Sequence, residues 1–356
     1  MIQIKSLPAH DGDCFIISFG ENDDRKNIII DGGRRKPVLK RLKEEINLIE
    51  QKGQKIDLLV VTHIDEDHIQ GILKLFEDVT VDKTSIKKVW FNSKENLTKF
   101  FDGIEKEDEN LVIQDKSDGN ISYKQGISFG KLIHDLKLST YELILEGKQL
   151  QIGEAIIKVL SPNEEALKKL HLEWEKVFPS EATSGENVAS NNQKDYEKSI
   201  EELTSYKYKE DKDVVNGSSI AFSIEYKDKK ILMLADSFPS IVVENLNKFY
   251  PKKEERVFDL IKVAHHGSKY NTSEEFIEFV HCKNYLVSTN GKTHGFPKKE
   301  TLSKIIVSSQ QKCRCETNIY FNYPDVSSQI FSKEEMERYN FQCLYIGNNK
   351  EDILEV

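Results

Sequence analysis

Short apolar runs alternate with stretches of helical periodicity along much of the chain, and this pattern predicts an α/β protein. Runs rich in Ile, Val and Leu predict buried strands, because a strand that is covered on both faces needs no polar positions. The predicted strands lie at 2–7, 14–20, 26–31, 57–61, 86–91, 156–160, 219–226, 231–235, 260–264, 284–288, 314–322, 341–346 and 351–355.

Apolar residues that recur at spacings of three and four predict amphipathic helices between these strands. One helix is expected from about Ile69, because Ile69, Ile72, Leu73 and Phe76 share a face. The other predicted helices lie at 37–49, 95–106, 127–145, 163–178, 195–206, 239–250, 273–280 and 298–307. A segment rich in Ser, Asn and Glu at 179–195 is predicted to be a mobile loop.

The densest group of polar residues follows the strand at 57–61 and precedes the helix that begins near Ile69. It reads His63-Ile64-Asp65-Glu66-Asp67-His68 and offers two imidazoles and three carboxylates within one turn. A single carboxylate is enough to cap a helix, so capping does not account for the whole group. Imidazole combined with carboxylate suits zinc, manganese or iron better than calcium. This segment therefore predicts a site for a divalent cation.

Similar residues follow other predicted strands. Asp236 comes directly after the strand at 231–235, His265 and His266 follow the strand at 260–264, and His294 lies beyond the strand at 284–288. Strands that end at the same edge of a sheet bring such residues together, which is a usual way to build an α/β active site. We therefore expect one composite site.

Composition restricts the choice of partner. The chain has 356 residues, enough for one large or two ordinary domains, and a formal net charge of -9. This charge argues against a wholly basic nucleic-acid binder but leaves room for a basic groove. Two basic stretches, Lys87-Lys88 and 251–256, are interpreted as solvated faces.

The cysteines and the apolar segments bear on location. The five cysteines, an odd number, favour a reducing compartment over a disulfide scaffold. Cys313 and Cys315 are too close together and too isolated for a structural zinc site, and they are interpreted as alternating strand residues. No apolar run is long enough for a signal peptide or a membrane span. We expect a soluble, cytoplasmic protein.

These motifs resemble the metallo-β-lactamase-fold hydrolases. His63-x-Asp65-x-Asp67-His68 is similar to the family motif His-x-His-x-Asp-His, with Asp in the second ligand position. That variant is typical of the hydrolase domain of ComEC-type competence DNA-uptake proteins and of their stand-alone relatives. Further elements similar to that branch are Gly12-Asp13-Cys14, Ile30-Asp31-Gly32-Gly33, Asn216-Gly217-Ser218-Ser219, Asp236, the run from Val263 to Lys269, and His294-Gly295-Phe296-Pro297.

The resemblance implies an α/β fold, a four-layer αββα sandwich of the metallo-β-lactamase type with helical insertions. It implies a hydrolase domain at 1–310, with insertions at about 93–149 and 163–215. The remaining residues, 311–356, are expected to form C-terminal strands that pack on this domain or extend it.

The resemblance also implies a cofactor of two divalent cations, zinc or manganese. His63 and Asp65 would hold one cation, and Asp67 and His68 would hold the second. Asp236 would bridge the two, and His265 would be a further ligand. A catalytic role is implied for Asp67, and His294 would donate a proton or bind a phosphate oxygen.

Other residues are assigned supporting roles. Asn216, Ser268 and Lys269 are predicted to bind substrate. Asp13 and Asp31 are predicted to orient ligand histidines from behind, although both also fit the interpretation of turn-forming residues at strand ends. His266, next to a predicted ligand, is likewise placed behind the ligands.

Three departures from the family pattern leave the number of cations open. No strand-end histidine stands between the first motif and Asp236, Phe296 replaces a histidine, and Gly295 replaces a proline. We favour a metal-dependent phosphodiesterase or nuclease that acts on DNA through metal-activated water. A hydrolase of a small phosphodiester, nucleotide, ester or amide is the first alternative, and a non-catalytic binding protein is the second. Nucleic acid is the expected partner, no membrane is expected, and a protein partner or a homodimer stays open.

Overall fold

Two β-sheets pack face to face, and helices cover the outer side of each. The computed structural model describes residues 1–21, 24–103, 121–139, 142–177, 193–313, 315–346 and 353–356. The strands are β1 Ile2–Ser6, β2 Phe15–Phe19, β3 Lys26–Ile30, β4 Leu58–Val60, β5 Val89–Trp90, β6 Gln149–Ile152, β7 Ala155–Ser161, β8 Ala221–Tyr226, β9 Lys229–Met233, β10 Val257–Phe258, β11 Leu260–Lys262, β12 His281–Cys282, β13 Asn284–Val287, β14 Thr317–Phe321, β15 Phe341–Tyr345 and β16 Ile353–Glu355.

Helices of very different lengths connect these strands. They are α1 Lys36–Gln51, α2 Glu66–Glu77, α3 Lys94–Asp102, α4 Ile121–Asp135, α5 Glu164–Val177, α6 Ile200–Thr204, α7 Val214–Gly217, α8 Pro239–Phe249, α9 Glu274–Phe279, α10 Lys299–Cys313, α11 Pro324–Ser327 and α12 Lys333–Arg338. None of the helices within the described ranges combines the length and the apolar character that a membrane span requires.

The order of the strands brings the carboxyl ends of several parallel strands to one edge. One sheet has the order β16-β1-β2-β3-β4-β5, and β3, β4 and β5 run parallel. The second large sheet has the order β15-β14-β13-β11-β9-β8-β7-β6, and the five strands from β15 to β9 run parallel, while β10 and β12 form a separate two-stranded sheet. Parallel strands need crossover connections, and helices supply most of them here.

Three apolar cores separate the four layers. The core between the sheets contains Ile28 and Ile30 of β3 and Leu260 of β11. The neighbouring residues Ile29 and Ile261 point the opposite way, into the cores under the two helical layers. Because successive side chains of a strand alternate between faces, both sheets are covered on both sides. This arrangement confirms the predicted four-layer αββα fold class.

Most predicted elements are present, and the errors have physical causes. The strands β6, β10 and β12 and the helices α7, α11 and α12 were not predicted, because two to six residues carry too little periodicity. Of the helix predicted at 195–206, only the part that forms α6 is helical. Asp195 lies outside it and accepts hydrogen bonds from the first backbone amides of α10. α10 continues to Cys313, so this residue is the last residue of a helix, and the prediction that it belongs to a strand is wrong. Most of the loop predicted at 179–195 lies outside the described residues.

Close contact between α2 and the turn after β3 depends on glycine. The Gly71 amide donates to the carbonyl of Gly33 at 2.8 Å, and the Gly32 amide donates to the carbonyl of His68 at 2.9 Å. A Cβ atom on Gly71 would collide with the Gly32 carbonyl. These glycines therefore allow the first turns of α2 to pack directly against the end of β3.

Replacing Gly71 by alanine is expected to lower the free energy of unfolding by about 1–3 kcal/mol, the usual cost of overpacking. Helix propensity alone would give about 1 kcal/mol in the opposite direction. Urea denaturation monitored by circular dichroism measures the change. Lys74→Ala, at an exposed position of the same helix, is the matched control. Equal stability of the two variants would contradict the role of close packing.

Candidate metal centre

The carboxyl ends of four strands converge on one group of side chains. β3 is followed by Asp31, β4 leads to His63, β9 leads to Asp236, and β11 leads to His265 and His266. All of these side chains are buried except that of His265, which is 20% exposed. The composite site predicted from the strand ends is thus present as a spatial cluster.

One carboxylate oxygen, Oδ2 of Asp236, is the centre of this cluster. The Nε2 atoms of four histidines surround it, at 3.5 Å for His68, 3.6 Å for His265, 3.7 Å for His266 and 4.0 Å for His63. These distances are too long for hydrogen bonds. They are close to the ~3.4 Å that separates two ligand atoms around one tetrahedral ion with bonds of about 2.1 Å.

Two further carboxylates divide the cluster into two halves. The Oδ2 atom of Asp67 lies 3.5 Å from Nε2 of His266 and 3.9 Å from Nε2 of His68. On the other side, Oδ2 of Asp65 lies 3.5 Å from Nε2 of His63. The ligand atoms of His63, His68 and Asp236 lie within 4.8 Å of one another, and so do those of Asp67, His68 and His266, while Asp65 lies beside His63.

Hydrogen bonds behind the first motif fix the orientation of its two histidines. Nδ1 of His68 lies 2.8 Å from Oδ2 of Asp31, and Nδ1 of His63 lies 3.0 Å from Oγ1 of Thr62. The Thr62 hydroxyl donates its proton to Asp31, so it accepts from His63. Both rings therefore carry hydrogen on Nδ1, which leaves the lone pair of Nε2 free to point at Asp236.

The second pair of histidines is held in the same way. Nδ1 of His266 donates to the carbonyl oxygen of Ser288 at 2.8 Å, since a carbonyl can only accept. Nδ1 of His265 lies 2.9 Å from Oδ1 of Asn271, whose amide nitrogen is used elsewhere as a donor. All four histidines thus present an unprotonated Nε2 to the same centre when the rings are neutral.

An unusual backbone allows two consecutive histidines to face the same atom. His265 has φ 45° and His266 has φ 53°, both in the left-handed region that residues with a Cβ rarely adopt. Side chains of neighbouring residues normally point apart, whereas here both Nε2 atoms approach Asp236. Strain of this kind persists where the surrounding structure enforces it, and it is common at functional sites.

Several buried polar atoms of the cluster have no hydrogen-bond partner among the described residues. They are Nε2 of His63, His68 and His266 and Oδ1 of Asp236. A buried polar atom without a partner costs about 1–3 kcal/mol. A cation among these atoms would satisfy the three imidazoles together, so the donor set fits a metal.

The electrostatics of the cluster favour positive charge. Burial alone would lower the pKa of His68, but the carboxylates of Asp236, Asp67 and Asp31 outweigh it and hold the pKa well above its ordinary value. Burial alone would also lower the pKa of His266, but the carboxylates of Asp236 and Asp13 outweigh it and raise this pKa to about 10. The site therefore attracts either protons or a cation.

Lys262 is part of the site and was missed from the sequence. It is fully buried, its ammonium pairs with Oδ2 of Asp13, and it lies 3.9 Å from Oδ1 of Asp236. It also donates to the carbonyl of Ala235 at 3.2 Å. The sequence does carry a signal for Lys262, since it is a lone lysine within the apolar run Leu260-Ile261-Lys262-Val263. A charge on a buried strand needs a buried partner of opposite charge, which points to a nearby carboxylate.

Asp211 was also missed, and it links Asn216 to the cluster. Its Oδ2 accepts from Nδ2 of Asn216 at 2.8 Å and from Nδ2 of Asn271 at 3.1 Å, and it lies 3.6 Å from Nδ1 of His265. Burial opposes the shift, but the nearby His265 ring and the hydrogen bonds from the Asp213 amide and Asn216 lower the pKa of Asp211 to about 2. Nothing in the sequence around Asp211 marks it, since it lies in a loop without periodicity.

The remaining predicted residues are Ser268, Lys269 and His294. Oγ of Ser268 accepts from the backbone amide of Tyr270 at 3.2 Å, and Lys269 lies 3.9 Å from Glu300. His294 is exposed, with its ring centroid 5.7 Å from that of Phe296. The roles assigned to Ser268, Lys269 and His294 stay predictions.

The family-model comparison agrees with this fold. Residues 7–134 match the family model described as Metallo-beta-lactamase superfamily. This stretch is therefore similar to a domain of that superfamily, whose members are mostly metal-dependent hydrolases. No curated protein matches the chain in sequence.

Several solved structures are similar to the chain over much of its length. The metallo-beta-lactamase fold protein YhfI from Bacillus subtilis shares 9% identity with this chain and has a TM-score of 0.38. The alignment covers 97% of this chain and 95% of the YhfI chain. CmlA, a diiron beta-hydroxylase from Streptomyces venezuelae, shares 12% identity over 88% of this chain and 50% of its own, with a TM-score of 0.37. A long form RNase Z from yeast shares 12% identity over 82% of this chain and 37% of its own, with a TM-score of 0.36.

Proposed function

We propose that the chain is a metal-dependent phosphodiesterase that acts on nucleic acid, with DNA as the first substrate to test. The observation that carries the proposal is the convergence of four imidazole Nε2 atoms on Oδ2 of Asp236, at 3.5–4.0 Å and without hydrogen bonds between them. Two adjacent groups of ligands that share one carboxylate suit a pair of cations.

Two sets of residues would hold the cations. The first set consists of His63, Asp65 and Asp236, and the second consists of Asp67, His68, His266 and Asp236. His266, predicted from the sequence to stand behind the ligands, is included because its Nε2 lies 3.5 Å from Asp67 and 3.7 Å from Asp236. His265 contacts Asp236 from the exposed side and stays a further candidate ligand.

The donor set favours manganese or zinc. Three carboxylates share the site with the imidazoles, and oxygen ligands suit harder ions than an all-histidine set does. When bound, divalent cations supply Lewis acidity, which lowers the pKa of a coordinated water and stabilises charge on the oxygens of a phosphodiester.

The protein's own residues then have defined tasks. Asp31, Thr62 and Ser288 hold the Nδ1 atoms of the histidines, so the rings keep one tautomer and one orientation. Lys262 neutralises part of the negative charge of Asp13 and Asp236, and it approaches Asp236 on the side of Oδ1. Asp65, with its side chain 36% exposed, lies where a substrate can approach.

A digestion assay tests the proposal. We expect the parent protein to hydrolyse DNA when manganese or zinc is added. We expect the rate of hydrolysis by Asp67→Ala to be lower by at least the ~10–100-fold that removal of a supporting residue costs at a metal site. Linear, circular and single-stranded DNA and RNA are compared by gel electrophoresis. Asp78→Ala, which removes a carboxylate just after α2, is the control.

The outcomes separate the alternatives. Equal digestion by the parent and by Asp67→Ala would refute the proposed site. Metal-dependent cleavage of a small phosphodiester or an ester, without digestion of nucleic acid, would favour the first alternative. A protein that binds no metal and hydrolyses none of these compounds would be a binding protein.

A further inference from the structure

One loop at the mouth of the metal centre combines cations with an aromatic ring. The loop spans 289–298, begins just after β13 and ends where α10 starts. Its position is fixed against the turn after β1, because the Asn290 amide donates to the carbonyl of His10 at 2.6 Å. The hydroxyl of Ser288 also donates to the carbonyl of Gly12 at 2.8 Å. The 289–298 loop is therefore held beside the cluster.

Phe296 places a flat apolar ring next to the histidines of the site. Its centroid lies 5.1 Å from that of His265 in an edge-to-face arrangement, 5.7 Å from that of His294 and 6.5 Å from that of His266. The ring is half-buried, so part of it faces solvent. No reaction step assigned above uses this ring.

Lys292 precedes Phe296 in the loop, and Lys298 follows it. The Lys298 ammonium donates to the carbonyls of Gln193 at 2.8 Å and His294 at 3.0 Å, and it lies 5.8 Å from the Phe296 centroid. Lys292 is exposed and has no ion pair with any residue that the structure describes. Aromatic rings that alternate with cations suit single-stranded nucleic acid, because bases stack on the rings and phosphates contact the cations.

The two basic stretches noticed in the sequence lie elsewhere. Lys87 and Lys88 precede β5, and the 251–256 segment precedes β10 and β11. Both are therefore at the amino-terminal ends of strands, whereas the metal centre is at the carboxyl ends. The 289–298 loop, by contrast, is a basic and aromatic surface that borders the site.

We propose that the 289–298 loop binds single-stranded nucleic acid next to the scissile phosphodiester. Phe296 stacks on an unpaired base, and Lys292 and Lys298 contact the flanking phosphates. In a duplex both faces of each base are already stacked, so this contact favours unpaired nucleotides. The inference rests on the proposed function and adds a preference for single strands.

Fluorescence anisotropy of labelled 12-nucleotide DNA and RNA, in the presence of a chelator, measures binding without hydrolysis. We expect the parent to bind the single strand more tightly than a duplex of the same sequence. Phe296→Leu should weaken single-strand binding by about 5- to 30-fold, and Phe296→Tyr should retain it. Phe100→Leu, at an aromatic residue that is 50% exposed in α3, is the matched control.

Salt dependence provides an independent test of the lysines. Lys292→Ala should reduce the slope of log affinity against log salt by about 0.7, the value for one lost phosphate contact on a single strand. Lys252→Ala, at an exposed position near the opposite edge of the sheet, should leave the slope unchanged.

The results distinguish this inference from the proposed function. If the parent digests nucleic acid while Phe296→Leu binds as tightly as Phe100→Leu, the inference is overturned and the function stands. If the parent binds no oligonucleotide, the inference also falls, and the digestion assay then decides the function separately. Equal affinity for single strand and duplex would likewise overturn the stated preference.

Discussion

Replacing Asp236 by asparagine is expected to remove cation binding and to reduce hydrolysis below detection. The amide oxygen of the new side chain would face the ammonium of Lys262, which lies on the side of Oδ1. The amide nitrogen would then take the place of Oδ2 and point its hydrogens at the imidazoles. Because Oδ2 is shared by both ligand groups, we expect metal affinity and rate to fall by more than the ~10–100-fold that is typical when a residue supporting a metal ligand is replaced.

Metal content and rate must both be measured for this variant. Mass spectrometry of the dialysed protein gives the number of cations per chain, and a fluorogenic phosphodiester gives the rate. Asp228→Asn makes the same chemical change in the exposed turn between β8 and β9, far from the carboxyl end of β9. An Asp236→Asn protein that retains metal and rate at the level of Asp228→Asn would refute the central position of Asp236.

Lys262→Met is expected to lower the free energy of unfolding by about 3–5 kcal/mol, the usual cost of removing one partner of a buried ion pair. Methionine has a similar volume, but it leaves the Asp13 carboxylate buried and without the ammonium that pairs with it. Adding Asp13→Asn should restore part of the stability, because the uncompensated charge is then gone. Urea denaturation of the chelated proteins measures both effects.

The pH dependence provides a second readout for the same pair. Burial alone would raise the pKa of Asp13, but the Lys262 ammonium and His266 lower it to about 2. A depressed pKa means that the carboxylate stabilises the fold above its unfolded pKa of about 3.9, and that this stability is lost as the pH falls towards 2. Lys262→Met should lose the part of this contribution that the ammonium supplies, whereas Lys253→Met, at an exposed position, should retain all of it.

Much of the site could be predicted because its residues follow apolar strands. The His63–His68 segment, Asp236 and His265 each come after such a strand, and parallel strands place their carboxyl ends at one edge. The strand pattern alone could not place His266. Alternation predicts that it points away from His265, and only the left-handed backbone of both residues turns the two rings to the same atom.

Other parts of the site depend on contacts between segments that are distant in sequence. Asp211 reaches His265 and Asn271 from a loop without periodicity, so no local pattern announces it. Lys262 breaks an apolar strand, and its meaning depends on Asp13, which lies 249 residues away by sequence number. Burial and pairing of this kind follow from tertiary packing, which hydrophobic periodicity does not encode.

The number of cations bound per chain, followed together with the rate of phosphodiester hydrolysis, tests the central claim most directly. Chelator-treated protein is titrated with manganese, and binding and rate are recorded at each addition. We predict that the rate rises with occupancy and stays at the background of Asp236→Asn without metal. Full activity of the metal-free protein, or saturation with metal without any hydrolysis, would contradict a metal-dependent phosphodiesterase.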